Sequence, residues 1–265
     1  MNVQDKVVII TGGIGGMGFE SAKSLLSNRA KFVAIFDLAE SSGADAAMAE
    51  LENAFGGDRV RFYPGDIAVD AELEGNFKRV IREQGYIDIL VNNAGLADER
   101  NIQRLVDVNV KAVLNCSLLA ITYMGKHKGG KGGLIVNVNA ILGLTDCPLL
   151  PFYSATKHAI VGFTRCMKEN FGTTGVRVVS LCPGVTKTNL IKHVPNHLLD
   201  FISDSIKEKV LTEVPVQSPK SVASALIEII AKAESGAVWV VENDNKPFAV
   251  KPADHYVRMT APIDK

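Results

Sequence analysis

Tyr153 and Lys157 stand four residues apart, a spacing that puts both side chains on one face of a helix. A phenol, with a pKa near 10 in water, takes a proton from an alcohol only if its phenolate is stabilised. A neighbouring ammonium supplies that stabilisation. The pair is therefore suited to removing a hydroxyl proton while a hydride leaves the same carbon. Tyr-x-x-x-Lys alone is a common spacing, and its meaning depends on what else the chain holds.

A second chemistry-bearing stretch is Thr11-Gly12-Gly13-Ile14-Gly15-Gly16-Met17-Gly18, between an apolar run and a helical pattern. Glycines there let the main chain turn sharply and approach a pyrophosphate with no Cβ in the way. The N-terminus of the next helix offers free N–H groups and a positive dipole end. Gly12, Ile14, Gly16, Met17 and Gly18 are the expected contacts. Asp37 ends the next apolar run, about 20 residues on, where a carboxylate accepts from ribose hydroxyls and repels a 2′-phosphate. Leu38, Ala39 and Glu40 follow it with no Arg, so NAD is expected over NADP.

These residues need a scaffold, and the chain has the pattern of one. Apolar, β-branched runs lie at Lys6–Ile10, Phe32–Phe36, Val60–Tyr63, Ile87–Val91, Leu134–Val138, Val176–Leu181 and Ala237–Val241. Helix-like stretches alternate with them: Gly18–Ser27, Ala44–Ala54, Ala71–Gln84, Asn101–Met124, Tyr153–Phe171 and Ser221–Ala233. The alternation predicts an α/β fold, a single Rossmann-type domain over residues 1–265 with a doubly wound parallel sheet of about seven strands and helices on both faces. An insertion at about 186–217 breaks the rhythm. It reads equally as a lid over a site or as short helices packed on the domain edge.

The ordered set of motifs resembles the short-chain dehydrogenase/reductase family over essentially the whole chain. It comprises Gly12-x-x-x-Gly16-x-Gly18, Asp66, Asn92-Asn93-Ala94-Gly95, Asn109, Tyr153-x-x-x-Lys157 and Pro183-Gly184 with Thr188. The short gap from Gly95 to Asn109 and the ending Ser235-Gly236-Ala237-Val238-Trp239 resemble insect-type alcohol dehydrogenases. The stretch Tyr153–Arg165 resembles NAD-linked hydroxyprostaglandin dehydrogenases. The resemblance implies oxidation of a secondary alcohol with Tyr153 as base. Lys157 would lower its pKa and hold the nicotinamide ribose, and Asn109 would anchor a water toward Lys157. It also implies cofactor contacts at Asp66 and Ile67, at Asn93, Ala94 and Gly95, at Tyr153 and Lys157, and at Pro183, Gly184, Val185 and Thr188. A homodimer or homotetramer is implied as well.

One departure matters. The family places a serine thirteen residues before the Tyr, and here that position is Ala140, preceded by Asn139. Loss of one preorganised donor costs about 10²–10³ in rate. If the strand continues, Asn139 points to the opposite face. A bulge would swing it inward, and Thr145 and Asp146 on the following loop are other stand-ins. Three readings follow: an active NAD-dependent dehydrogenase with an altered oxygen clamp, a relative that binds cofactor or ligand without turnover, and a structural protein. Intact Gly12, Gly16, Gly18 and Asp37 argue against the third.

Bulk composition narrows the partners. With 29 basic and 29 acidic residues in 265, the net charge is zero, which gives no footprint for nucleic acid or a membrane surface. The four cysteines and five histidines show no metal-ligand spacing. No basic leader and no unbroken apolar run of about 18 residues is evident, so a cytoplasmic location is expected. The apolar insertion suggests a lipophilic alcohol or ketone as substrate, and reads equally as a lid over a small alcohol.

Overall fold

The apolar runs become the strands of one sheet in the computed structural model, which describes residues 1–41, 43–207 and 214–251. The strands are β1 Val7–Thr11, β2 Phe32–Asp37, β3 Val60–Pro64, β4 Ile89–Asn92, β5 Gly133–Val138, β6 Val176–Pro183, β7 Val238–Val241 and β8 Phe248–Val250. Their order is β3-β2-β1-β4-β5-β6-β7-β8. Every pairing is parallel except that of β7 with β8. Between them run α1 Gly16–Ser27, α2 Ala44–Phe55, α3 Asp70–Gln84, α4 Ile102–Met124, α5 Pro151–Cys166, α6 Phe171–Thr174, α7 Asn189–His193 and α8 Pro219–Lys232.

Period-two alternation sends successive strand residues to opposite faces. Val8, Ile10, Val33 and Ile35 pack with Leu25 of α1 and Leu226 of α8. Val7, Ile9, Phe32 and Ala34 pack with Phe77 of α3 and Cys116 of α4. Both faces are covered, so β1 is wholly buried, as continuous Val/Ile strands of parallel sheets are. Strand order reverses between β1 and β4, and the crevice opens beyond the carboxyl ends of the strands at such a point.

Three elements go beyond the sequence pattern. The eighth strand returns through Asn243 and Asp244, both at positive φ; Phe248-Ala249-Val250 is apolar but three residues long and mostly exposed, too short to read as a strand from sequence. Helix α4 starts on Asn101, whose side chain accepts the Arg104 N–H, and it contains π turns at Asp107–Ala112. By length and composition its 23 residues suffice to cross a membrane, although Arg104, Asp107 and Lys111 interrupt the apolar run; Ala112, Cys116 and Ala120 pack in the core. Helix α5 begins two residues before Tyr153 and ends at Cys166, where Asn170 Nδ2 donates to the Cys166 carbonyl, a side-chain bond that competes with helix continuation.

The insertion is pinned at its base. The Gln217 N–H donates to Val185 O at 2.8 Å and the Lys187 N–H to Gln217 O at 2.9 Å. Within it lie α7 and a 3₁₀ turn, Val194–His197. Residues 208–213 and His255 lie outside the described residues.

Candidate active site

The glycine turn is held from β4. Thr11 Oγ1 accepts the N–H groups of Asn93 and Ala94 at 3.0 and 3.1 Å. Asn93 Nδ2 donates back to the carbonyls of Thr11 and Gly12 at 3.0 and 2.8 Å. The Asn93 amide is thus a strut for the turn. Gly12 and Gly16 adopt φ of +66° and +55°, which residues with a Cβ adopt at a cost. A Cβ on Gly18 would overlap the Gly12 carbonyl oxygen and crowd Asn93 Nδ2. Gly18→Ala is therefore expected to destabilise the fold by about 1–3 kcal/mol, as overpacking does. It should also abolish saturable NADH binding in a fluorescence titration; wild-type affinity in the variant would refute the turn's role.

The turn, the ends of β2 and β3 and the β4 loop enclose a cavity of about 320 Å³, lined by Gly12, Gly16, Met17, Gly18, Asp37 and Asp66, among others. Ile67, Asn93, Ala94, Gly95 and Thr188 complete the expected contacts on its wall. Ile14 is not on the wall; its N–H is bonded to Asp37 Oδ2 at 3.0 Å. Asp37 Oδ1 accepts from Ser41 Oγ and the Leu38 N–H at 2.7 and 2.9 Å, so the carboxylate is fixed at the mouth. Asp66 carries a partner not anticipated from sequence: Arg104 of α4, at 2.8 Å, itself lining the cavity. A glycine cradle that a Cβ would fill, a fixed carboxylate and an arginine-paired acid fit the pyrophosphate, ribose and adenine of a dinucleotide.

A second cavity, about 420 Å³, adjoins the first and shares Met17, Thr188 and Leu190 with it. Its wall is mainly apolar, with Leu142, Leu149, Ile191 and Val194 prominent. Pro183, Gly184 and Val185, expected at the cofactor, line this one. Tyr153 also faces it and is buried. Lys157 Nζ sits 5.3 Å from the Tyr153 ring centroid, so the four-residue spacing does bring the two together.

Burial disfavours the charged form of each group. It raises the Tyr153 phenol above its ordinary value and lowers the Lys157 ammonium from 10.5 to about 8. In the cofactor-free protein, between about pH 8 and 10.5, the folded chain has lost a proton that the unfolded chain keeps, so stability rises with pH across that window. Lys157→Met is expected to stabilise the cofactor-free protein at pH 7 by up to about 3 kcal/mol, the equivalent of that shift. The advantage should vanish above about pH 10; a thermal midpoint that drops at pH 7 would contradict the assignment.

Asn109 lies within the π turns and is buried. Its Nδ2 donates to Leu96 O and Thr156 Oγ1 at 2.8 and 3.2 Å, and its Oδ1 accepts the Leu96 N–H. The side chain is spent on the loop after β4 and on α5. Ala140 is extended, at φ −159° and ψ 158°, and lines the apolar cavity. Asn139 Nδ2 donates to the Lys157 carbonyl at 2.9 Å, so no bulge turns its amide donor toward the substrate side. Thr145 Oγ1 donates to Ile141 O at 3.2 Å, and Asp146 is exposed. Among the described residues, no hydroxyl stands at the position Ala140 vacates.

Sequence reading missed Arg104 and Glu99, and it named Thr11 only as the start of the glycine turn, without its bonds to the loop after β4. Glu99 is 1% exposed and accepts the main-chain N–H groups of Phe152 and Tyr153. The only signal was three charged residues, Asp98-Glu99-Arg100, in a short connection.

A family model described as short chain dehydrogenase matches residues 6–198. Alcohol dehydrogenase 1 of Ceratitis cosyra is 31% identical over 97% of this chain and 98% of its own length. The 15-hydroxyprostaglandin dehydrogenase [NAD(+)] of Rattus norvegicus is 34% identical over 91% and 92%. A short-chain type dehydrogenase/reductase from Mycobacterium marinum superposes with a TM-score of 0.76 at 22% identity, covering 91% of this chain and 95% of that one. The last likeness bears on the fold alone.

Proposed function

The chain belongs to the short-chain dehydrogenase family, and from that premise we propose that it interconverts a lipophilic secondary alcohol and its ketone with NAD. The observation that carries the reading is Tyr153 on the wall of the apolar cavity that adjoins the glycine-lined one, with Lys157, which lines neither cavity, 5.3 Å from its ring centroid and behind Gly95 of the glycine-lined wall. When bound, the nicotinamide supplies the hydride acceptor. The protein's residues do the rest. Asp37 selects a free 2′-hydroxyl over a 2′-phosphate. Tyr153 takes the hydroxyl proton, and Lys157, above its ring, stabilises the phenolate. With the Asn109 side chain committed, any water relay to Lys157 falls to main-chain carbonyls around the π turns, where helix bonding is rearranged.

The apolar wall favours a neutral, lipophilic substrate with few polar anchors, and the insertion covers it with Leu190, Ile191 and Val194. Exposed Ile102, Val106 and Leu118 on α4 support a homodimer or homotetramer. Ala140 favours a second reading, a family member that binds cofactor and ligand with little turnover. The assay that separates the two follows NADH formation from NAD over secondary alcohols graded from short to isoprenoid in size. Turnover supports the first reading; NADH binding with no turnover on any of them supports the second.

A further inference from the structure

Helix α5 carries both Tyr153 and Lys157, and its N-terminus is built unusually. Its first residue is Pro151, which has no N–H to satisfy, and its N-cap residue, Leu150, offers no side-chain bond. The first donors are the N–H groups of Phe152 and Tyr153. Both are accepted by one distant carboxylate: Glu99 Oε2 takes the first at 2.9 Å and Oε1 the second at 2.7 Å. A buried carboxylate on two helix N–H groups makes charge-assisted bonds and complements the helix dipole. The N–H of Tyr153 is thereby fixed to the loop after β4, while its carbonyl is held within α5 by Thr156 Oγ1.

The same loop grips the insertion. The Glu99 N–H donates to His197 O at 3.1 Å. Asp98 Oδ1 lies 3.3 Å from His197 Nδ1, and Arg100 Nε donates to Leu198 O at 2.9 Å. Leu198 belongs to an apolar cluster with Leu149, Leu150 and Tyr153. All three charged residues thus hold the chain at 197–198, next to the turn that walls the apolar cavity. We propose that Glu99 is a positioning residue: it sets Tyr153 relative to Lys157 and the bound alcohol, and transmits movement of the 197–198 segment to the catalytic helix. The proposal rests on the dehydrogenase reading for its kinetic consequence, but its mechanical part stands without turnover.

Glu99→Gln tests it with the least change in shape. The amide keeps one acceptor and turns a donor toward an N–H. With NAD and a turned-over secondary alcohol, kcat is expected to fall by about 10²-fold, the cost of a misplacement of about 1 Å. The KM for NAD should hold, since Glu99 touches no part of the dinucleotide cavity. Glu99→Asp, which keeps the charge, should recover part of kcat. A fall in kcat no larger than the unfolded fraction seen by circular dichroism, or one matched by lost NAD affinity, overturns the proposal.

Amide hydrogen exchange on the NADH-loaded protein supplies the readout that does not need turnover. Adding cyclohexanol should protect the Phe152 and Tyr153 amides in the wild type, and not in Glu99→Ala. In that variant, exchange should quicken at 152–153 and 197–199 together. Unchanged exchange there, or equal quickening along all of α5, overturns the coupling. If no alcohol is turned over yet the exchange result holds, the dehydrogenase reading fails and the mechanical coupling survives.

Discussion

Ala140→Ser is expected to raise kcat/KM for a secondary alcohol by about 10²-fold or more. The magnitude is that of one preorganised donor to the substrate oxygen, about 10²–10³ in rate. The direction follows from three placements. Ala140 lines the apolar cavity, packed beside the Leu149, Leu150 and Tyr153 cluster, and serine adds only one oxygen there, a small steric change. Asn139 is turned to the Lys157 carbonyl and Thr145 to Ile141 O. An ionised Asp146 accepts hydrogen bonds and donates none. Thr186 Oγ1 is likewise spent on Gly184 O, which leaves Thr188 as the remaining hydroxyl on the described wall besides Tyr153; the gain should reside in kcat, with the KM for NAD unchanged. NADH formation by the two proteins side by side measures it. Equal rates would mean that another donor reaches the substrate oxygen once both cavities are filled.

The sheet was legible because its signals are local. Runs such as Val7-Val8-Ile9-Ile10, short, β-branched and closed by glycines, read as buried strands, and the glycine turn follows β1 directly. Strand β8 was not legible, because its apolar run, Phe248–Val250, is only three residues long on an exposed edge, shorter than the runs by which strands are read. The site divides the same way. Tyr153 and Lys157 are neighbours in sequence, and helix geometry alone aligns them. Glu99 reaches Tyr153 across 54 residues, and Arg104 reaches Asp66 across a strand, a helix and a loop. A charged residue in a loop is ordinarily solvated, and only the fold shows that Glu99 is buried. The orientation of Asn139 lay between. Sequence left continued strand geometry and a bulge both open for it; the Lys157 carbonyl on α5 takes its amide donor, while the residue itself borders the apolar cavity.

The largest loss is expected from Tyr153→Phe, which should lower kcat by about 10²–10⁴-fold, the contribution of a positioned acid–base group, and leave NADH affinity intact. The ring stays, so the apolar cavity keeps its wall and Lys157 keeps the face it lies over at 5.3 Å; only the proton acceptor goes. Because burial holds the phenol above its ordinary pKa in the cofactor-free protein, wild-type kcat/KM should climb with pH as the phenolate becomes accessible, and the climb should weaken above about pH 8, where Lys157 loses the charge that stabilises it. The residual rate of the Tyr153→Phe variant should be flat over the same range. The two hydroxyls at issue, that of Tyr153 and the one introduced at 140, would hold a single substrate oxygen, so their effects should not add. In a double-mutant cycle, Ala140→Ser should gain about 10²-fold in the wild-type background and almost nothing in the Tyr153→Phe background, since a clamp on the oxygen is useless when its proton has no acceptor. An equal serine gain in both backgrounds would remove Tyr153 from the chemistry and move the base elsewhere in the cavity.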